Sequence, residues 1–249
     1  MSGFLAVLRR ELLSLWVTPL AWVLLTVFLL LQGIIFYSIV LHYSSMTDLA
    51  LESGPVQAYF GQDSILLLMS LLLVCPALTM RSFAEERRSG TIEALLTAPV
   101  TPSAVVLGKY AAVLVTYALM WAPTVLYVLI LRKTGVVDWG AVGASYLGLL
   151  GVGGAYLALG LLMSAMSKSQ LVALLLTVGA LFGLFILGIG EYIFEPGLLQ
   201  ELSGHVSMAS QMEEFSRGLI DLRRVVFDLS LCVTSLFVTV RVVDSWRWG

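Results

Sequence analysis

Long uncharged apolar runs dominate the chain, and short polar stretches punctuate them. A helix that crosses a membrane needs about 20 predominantly apolar residues. Six segments fit: 20–41, 64–81, 103–131, 141–166, 170–190 and 222–243. The second is short but carries no charge from Ser64 to Met80, and Asp228 interrupts the sixth. Ahead of the first, Leu5, Leu8, Leu12, Leu15 and Trp16 share one helix face, with Arg10 and Ser14 opposite. That pattern predicts a helix over residues 1–18 lying in the membrane interface, ended by Thr18-Pro19. Residues 191–221 are acidic but set Met208, Met212 and Phe215 at helical spacing, which predicts short helices at the outer face. The expected fold is an all-α integral membrane protein, one transmembrane domain over 1–249 with its first five spans within 20–190.

Composition agrees. The chain is 59% hydrophobic and 12% charged, with mean hydropathy +0.96, where a soluble domain carries about 25% charged residues. Arg9 and Arg10 precede the first apolar run as in a signal peptide. That run continues uncharged from Leu12 to Leu41, well beyond a signal peptide's apolar core of about 7–15 residues. With the N-terminus inside, nine of the 14 Lys and Arg lie inside and five outside, so both termini are expected in the cytoplasm. The net charge of −2 is uninformative, and no basic tail points to nucleic acid. Cys75 and Cys232 sit in apolar runs and read as packing residues. Gly148, Gly151, Gly153 and Gly154 crowd the fourth segment, and Gly179 and Gly183 form a G-x-x-x-G in the fifth. Internal packing is the expectation for both, with a dimer seam as the alternative. Pro76 and Pro123 predict kinks.

Catalytic and metal-binding patterns are missing from the sequence. Gly108-Lys109 is the sole Gly-Lys pair, but Ser103 stands where a phosphate-binding loop needs its first glycine, and Tyr110 follows the lysine. His42 and His205 are isolated, without ligand spacing around them.

The stretch "RSFAEERRSGTIEALLTAPV", residues 81–100, is densely charged for so apolar a chain. The second segment should continue as helix past Arg81 to Glu86, with Gly90 as its left-handed stop. A short helix then runs from Thr91 to Ala98, with Ile92, Leu95 and Leu96 on one side and Glu93 in its first turn. Pro99 ends it, and Thr101-Pro102 caps the next helix. The residues alone leave two readings level: a solvated anchor loop, or a contact that takes force from a soluble partner.

"RSFAEERRSGTIEALLTAPVTPSAVVLGKY" resembles the first cytoplasmic loop of ABC-transporter permeases of the type-2 exporter family. "RRELLSLWVTPLAWVLLTVFLLLQG", "LGLLGVGGAYLALGLLMSAMSKSQLVA" and "FSRGLIDLRRVVFDLSLCVTSLFVTVRVVDSWRW" resemble its gliding-motility-type branch. The resemblance implies a coupling helix over residues 90–99, with Thr91, Ile92, Glu93, Leu95, Leu96 and Pro99 touching a separate ATPase and Glu85, Glu86, Arg87 and Arg88 flanking the contact. It implies an interfacial helix near that ATPase and outer re-entrant helices over 191–221. Implied partners are two ABC ATPase copies, a second copy of the permease or a related one, membrane lipids and an envelope accessory protein. ATP and magnesium would reside in the ATPase, with no cofactor on this chain. The implied location is the bacterial cytoplasmic (inner) membrane, and the implied function is export of an unidentified substrate. Transmission of force to envelope or motility machinery without transport is the alternative. An ion-coupled secondary transporter is disfavoured, because the apolar segments lack an ionisable relay apart from Asp228. Asp228 departs from the neutral or aromatic residue the family pattern suggests. An ion pair with Arg224, one turn earlier, is the expectation, and a substrate-contacting acid is the alternative.

Overall fold

The computed structural model describes residues 2–45, 54–61, 65–91, 100–134 and 137–246, which are helices and connecting turns without a strand among them. Helix α1 is Ser2–Val17, α2 Pro19–Ser45, α3 Pro55–Phe60 and α4 Ile65–Thr79. Then come α5, Ala84–Ser89, and α6, Pro102–Trp121; a 3-10 turn, Ala122–Thr124, leads into α7, Val125–Thr134. The chain continues through α8, Trp139–Met166, and α9, Gln170–Ile193. It ends with α10, Leu198–Val206, α11, Met208–Ser216, and α12, Leu222–Ser245.

Contrary to expectation, the second segment does not run on as one helix through Arg81 to Glu86: α4 stops at Thr79, and a turn over 80–83 leads into α5. The other stop and start signals act as their chemistry dictates. Gly90 ends α5 with φ of 73°, a conformation that costs glycine little. Thr101 caps α6 by accepting the Ala104 N–H at 3.3 Å, with Pro102 in the first turn. Pro123 lacks an N–H, and the α-helical ladder gives way to the 3-10 turn there. Across Pro76, by contrast, α4 stays helical.

Five helical stretches are long and apolar enough to cross a membrane: α2, α6 with α7, α8, α9 and α12. The sixth predicted span, which looked weakest, is therefore full length; Asp221 caps it by accepting the Arg223 N–H at 2.9 Å. The second predicted span is the short one. With 15 residues, α4 reaches about 22 Å, less than the hydrocarbon thickness of about 30 Å. Of the six expected spans, the described residues thus form five long helices and one short one, α4.

Helix α8 is the centre of the bundle. In its most apolar window 67% is buried, against 17–39% in the other four. Small residues make that burial feasible. A side chain at Gly153 would overlap the Tyr117 ring, and one at Gly160 would overlap Thr79. At Gly148 an added Cβ would lie 2.5 Å from Phe215. These glycines admit α6, α4 and α11 to the α8 backbone, and Tyr117 uses the proximity to donate to the Leu149 carbonyl at 3.0 Å. The pair in α9 behaves otherwise: nothing lies within 4 Å of a Cβ at Gly179 or Gly183. Internal packing, the expectation for that motif, is corrected: this face of α9 meets no neighbour among the described residues.

Helices α1 and α5 gather at one end of the bundle with the end of α8, the start of α9 and the end of α12, where Arg87 lies 4.8 Å over the Trp246 ring. The short helices α3, α10 and α11 collect at the other end. There Met208, Met212 and Phe215 are buried, as their spacing predicted. A further polar anchor links α2, α3 and α4: Tyr59 donates to Gln32 at 2.9 Å, and Gln32 donates to Ser70 at 3.1 Å. Burial, with Tyr146 and Tyr127 nearby, pushes the Tyr59 hydroxyl well above its usual value, so it stays a donor.

Gly153→Val should lower the thermal midpoint of the detergent-solubilised protein, consistent with an overpacking cost of about 1–3 kcal/mol or more. Gly179→Ala should leave that midpoint unchanged or slightly raised.

Candidate coupling junction

The junction starts with a glycine. A Cβ at Gly108 of α6 would sit 2.8 Å from Val7 of α1, so the missing side chain is what lets the two helices touch. Val7 is the buried apolar residue of α1, whereas Leu5 is 57% exposed and Leu8, Leu12, Leu15 and Trp16 are half-buried. The leucine stripe read as the mark of an interfacial helix is therefore not the seam of α1 with α6. The seam runs along Gly3, Val7 and Glu11, on the same side as Arg10 and Ser14, and it leaves the stripe facing outward as an interfacial helix requires.

Lys109 follows Gly108 and is 1% exposed. Its ammonium has three donors, and three oxygens surround it. Glu11 Oε1 and Glu86 Oε1 each lie at 3.0 Å, and the Ser82 carbonyl at 2.8 Å. Arg10 closes the cluster by donating to Glu86 at 2.5 Å. Two cations and two carboxylates thus balance where α1, α5 and α6 meet. Glu86 Oε2 is buried without a hydrogen-bond partner among the described residues. Beside the cluster is a groove of about 220 Å³ lined in part by Arg10, Glu11, Arg81, Glu85 and Glu86.

Helix α5 is held on its other side as well. Arg87 donates to the Ala165 carbonyl at 2.9 Å, and Ser164 Oγ accepts the N–H groups of Phe83 and Ala84 at 3.1 and 3.2 Å. Arg81 reaches Gln170 at 3.4 Å. The charged segment therefore bridges α1 and α6 to the α8–α9 corner.

Of the residues singled out in this segment, Glu86 and Arg87 are thus built into the protein, while Glu85, Arg88 and Thr91 are exposed. Ile92, Glu93, Leu95, Leu96 and Pro99 lie outside the described residues. At the opposite end, the expected Arg224–Asp228 pair is corrected. Arg224 donates to Glu214 at 3.0 Å, and Asp228 accepts from Gln211 at 2.5 Å. Helix α11 lies against the start of α12 and supplies better-placed partners than the next turn of α12 itself.

A family model described as ABC-2 family transporter protein matches residues 25–204, most of the chain. The chain belongs to the ABC-2 transporter family. A comparison with curated proteins finds no match. ABC-2 proteins are multi-pass membrane subunits that work with an ABC ATPase rather than being the ATPase.

In this ABC-2 subunit the sequence reading missed Gly108, Lys109 and Glu11. Gly108-Lys109 fails as a phosphate loop and serves as a packing and charge junction instead. The usable signal was a lysine inside the apolar run "AVVLGKYAAVLV", because such a charge must find partners within the protein.

Lys109→Met should cost about 3–5 kcal/mol of stability, because it leaves buried Glu86 and part-buried Glu11 sharing one half-exposed cation, Arg10. Arg10→Met removes a cation that is 57% exposed and should cost about 1 kcal/mol or less. Thermal unfolding of both variants in one detergent checks the order.

Proposed function

We propose that the chain is the transmembrane permease of an ATP-binding-cassette exporter, in which a separate ATPase drives conformational change through residues 90–99. The observation that carries this reading is the double attachment of α5, which precedes that segment. One face is tied to α1 and α6 through Glu86 and Lys109, the other to the α8–α9 corner through Arg87 and Ser164. A push received just beyond Gly90 would reach both halves of the bundle through bonded contacts. In this reading Ile92, Leu95 and Leu96 form the apolar contact with the ATPase, and Thr91, Glu93 and Pro99 shape the short helix. The end carrying α1 and α5 faces the cytoplasm, as the loop charges support, in a bacterial inner membrane. ATP and magnesium belong to the ATPase, of which two copies serve a pair of permeases. The unpartnered face of α9 around Gly179 and Gly183 supports such pairing.

Force transmission to envelope machinery without transport is the second reading. Resemblance of three long segments to the gliding-motility-type branch favours it. Proteoliposomes separate the two: ATP-dependent flux of a candidate cargo supports export, and ATPase activity governed solely by an envelope partner supports transmission.

Glu93→Lys, and Leu95 and Leu96 both changed to Asp, should reduce co-purification of the ATPase and uncouple its activity while the membrane subunit keeps its thermal midpoint. Undiminished binding and activity in both variants would defeat the coupling assignment.

A further inference from the structure

Between α6, α8 and α12 lies a cavity of about 340 Å³, within the size range of small-ligand sites. Its rim includes Leu147 and Leu229, each more than half exposed on what is the lipid-facing side of a membrane bundle. The wall is apolar apart from three side-chain groups. Two satisfy each other: the Cys232 thiol donates to the Tyr110 hydroxyl at 3.2 Å, which in turn donates to the Gly154 carbonyl at 3.2 Å.

The third group is Asp228, which is 7% exposed. Gln211 donates to its Oδ2 at 2.5 Å. No cation contacts it among the described residues: Arg224 is turned to Glu214 and the Ser207 carbonyl, and its charge reaches Asp228 only through space. Gly151 faces the carboxylate without a side chain: a Cβ there would only touch Oδ2, at 3.8 Å.

We propose that this cavity is a lateral binding site for an alkylammonium amphiphile, its ammonium paired with Asp228 and its chain lying along α8 and α12. A carboxylate in apolar surroundings is stabilised most by a cation in contact with it, which neither the neutral Gln211 amide nor the more distant Arg224 supplies. A neutral amphiphile would leave the carboxylate underpaired, and an anionic one would be repelled. The apolar wall selects against amines without a hydrocarbon chain. Asp228 lies six residues into α12, about 9 Å along its axis from Leu222, a depth that suits a headgroup near the membrane interface. A lipid amine and a free cationic amphiphile share this chemistry.

The competing account is that Asp228 only fastens α11 to α12 through Gln211. Asp228→Asn separates the two, since it keeps an acceptor for Gln211 and removes the charge. Gly151→Leu places a side chain in the cavity and keeps both partners of that hydrogen bond. The test is equilibrium binding of tritiated dodecylamine, and of dodecanol, to the full chain in nanodiscs. The wild type should bind dodecylamine saturably, with affinity about tenfold lower in Asp228→Asn, as expected for losing a hydrogen bond to a charged group. Binding should be lost in Gly151→Leu, and dodecanol should not distinguish wild type from Asp228→Asn. Native mass spectrometry from nanodiscs of equal phosphatidylethanolamine and phosphatidylglycerol identifies the source. Retained phosphatidylethanolamine that Asp228→Asn loses assigns a lipid; dodecylamine binding without it assigns a free amphiphile. Equal dodecylamine affinity in wild type and Asp228→Asn, or unsaturable uptake by the wild type, overturns the site.

Discussion

A single buried ammonium fixes how one end of this bundle is assembled. Lys109 sits in the wall of a long apolar helix, where water cannot satisfy it, so the chain must bring oxygens to it. It takes one carboxylate from α1, another from α5 and a carbonyl from the turn between α4 and α5. Each element must stand within hydrogen-bond reach of one atom. The interfacial helix, the charged segment and the third long helix thereby acquire a common origin. Gly108 makes this origin reachable by removing the side chain that would hold α1 away.

The middle of the bundle obeys a different constraint. Lipid offers little hydrophobic incentive for helices to associate, so close backbone approach and van der Waals packing decide which ones touch. Glycines along α8 provide that approach to α4, α6 and α11, and α8 is consequently the most enclosed of the long helices. Where a glycine on α8 is not filled by a neighbour, as at Gly151, the same economy of side chains leaves a cavity. Where glycines face outward, as on α9, they leave a smooth apolar surface.

These constraints meet in α5. Only six residues long, it touches elements from both halves of the chain through charges and backbone groups rather than through apolar area. Such contacts are directional, and they fix α5 without apolar area. Membrane subunits of the ABC-2 family work with an ABC ATPase.

Periodicity and composition alone established the helical membrane class, the element boundaries near Thr18-Pro19, Gly90 and Thr101-Pro102, and the buried spacing of Met208, Met212 and Phe215. Each depends on local chemistry: a missing N–H, a left-handed glycine, a capping hydroxyl, a 3.6-residue period. Partner choice was not readable in the same way. The sequence could show that Lys109, Glu86 and Arg224 were charges, but not which opposite charge each would meet. Glu11 lies 98 residues from Lys109, and Arg224 passes over Asp228 for Glu214 because α11 folds back beside it. Likewise the glycines of α8 and α9 are alike in sequence, and only tertiary packing gave the first set neighbours and left the second bare. Local signals set where helices begin and end; distances between helices set what their side chains do.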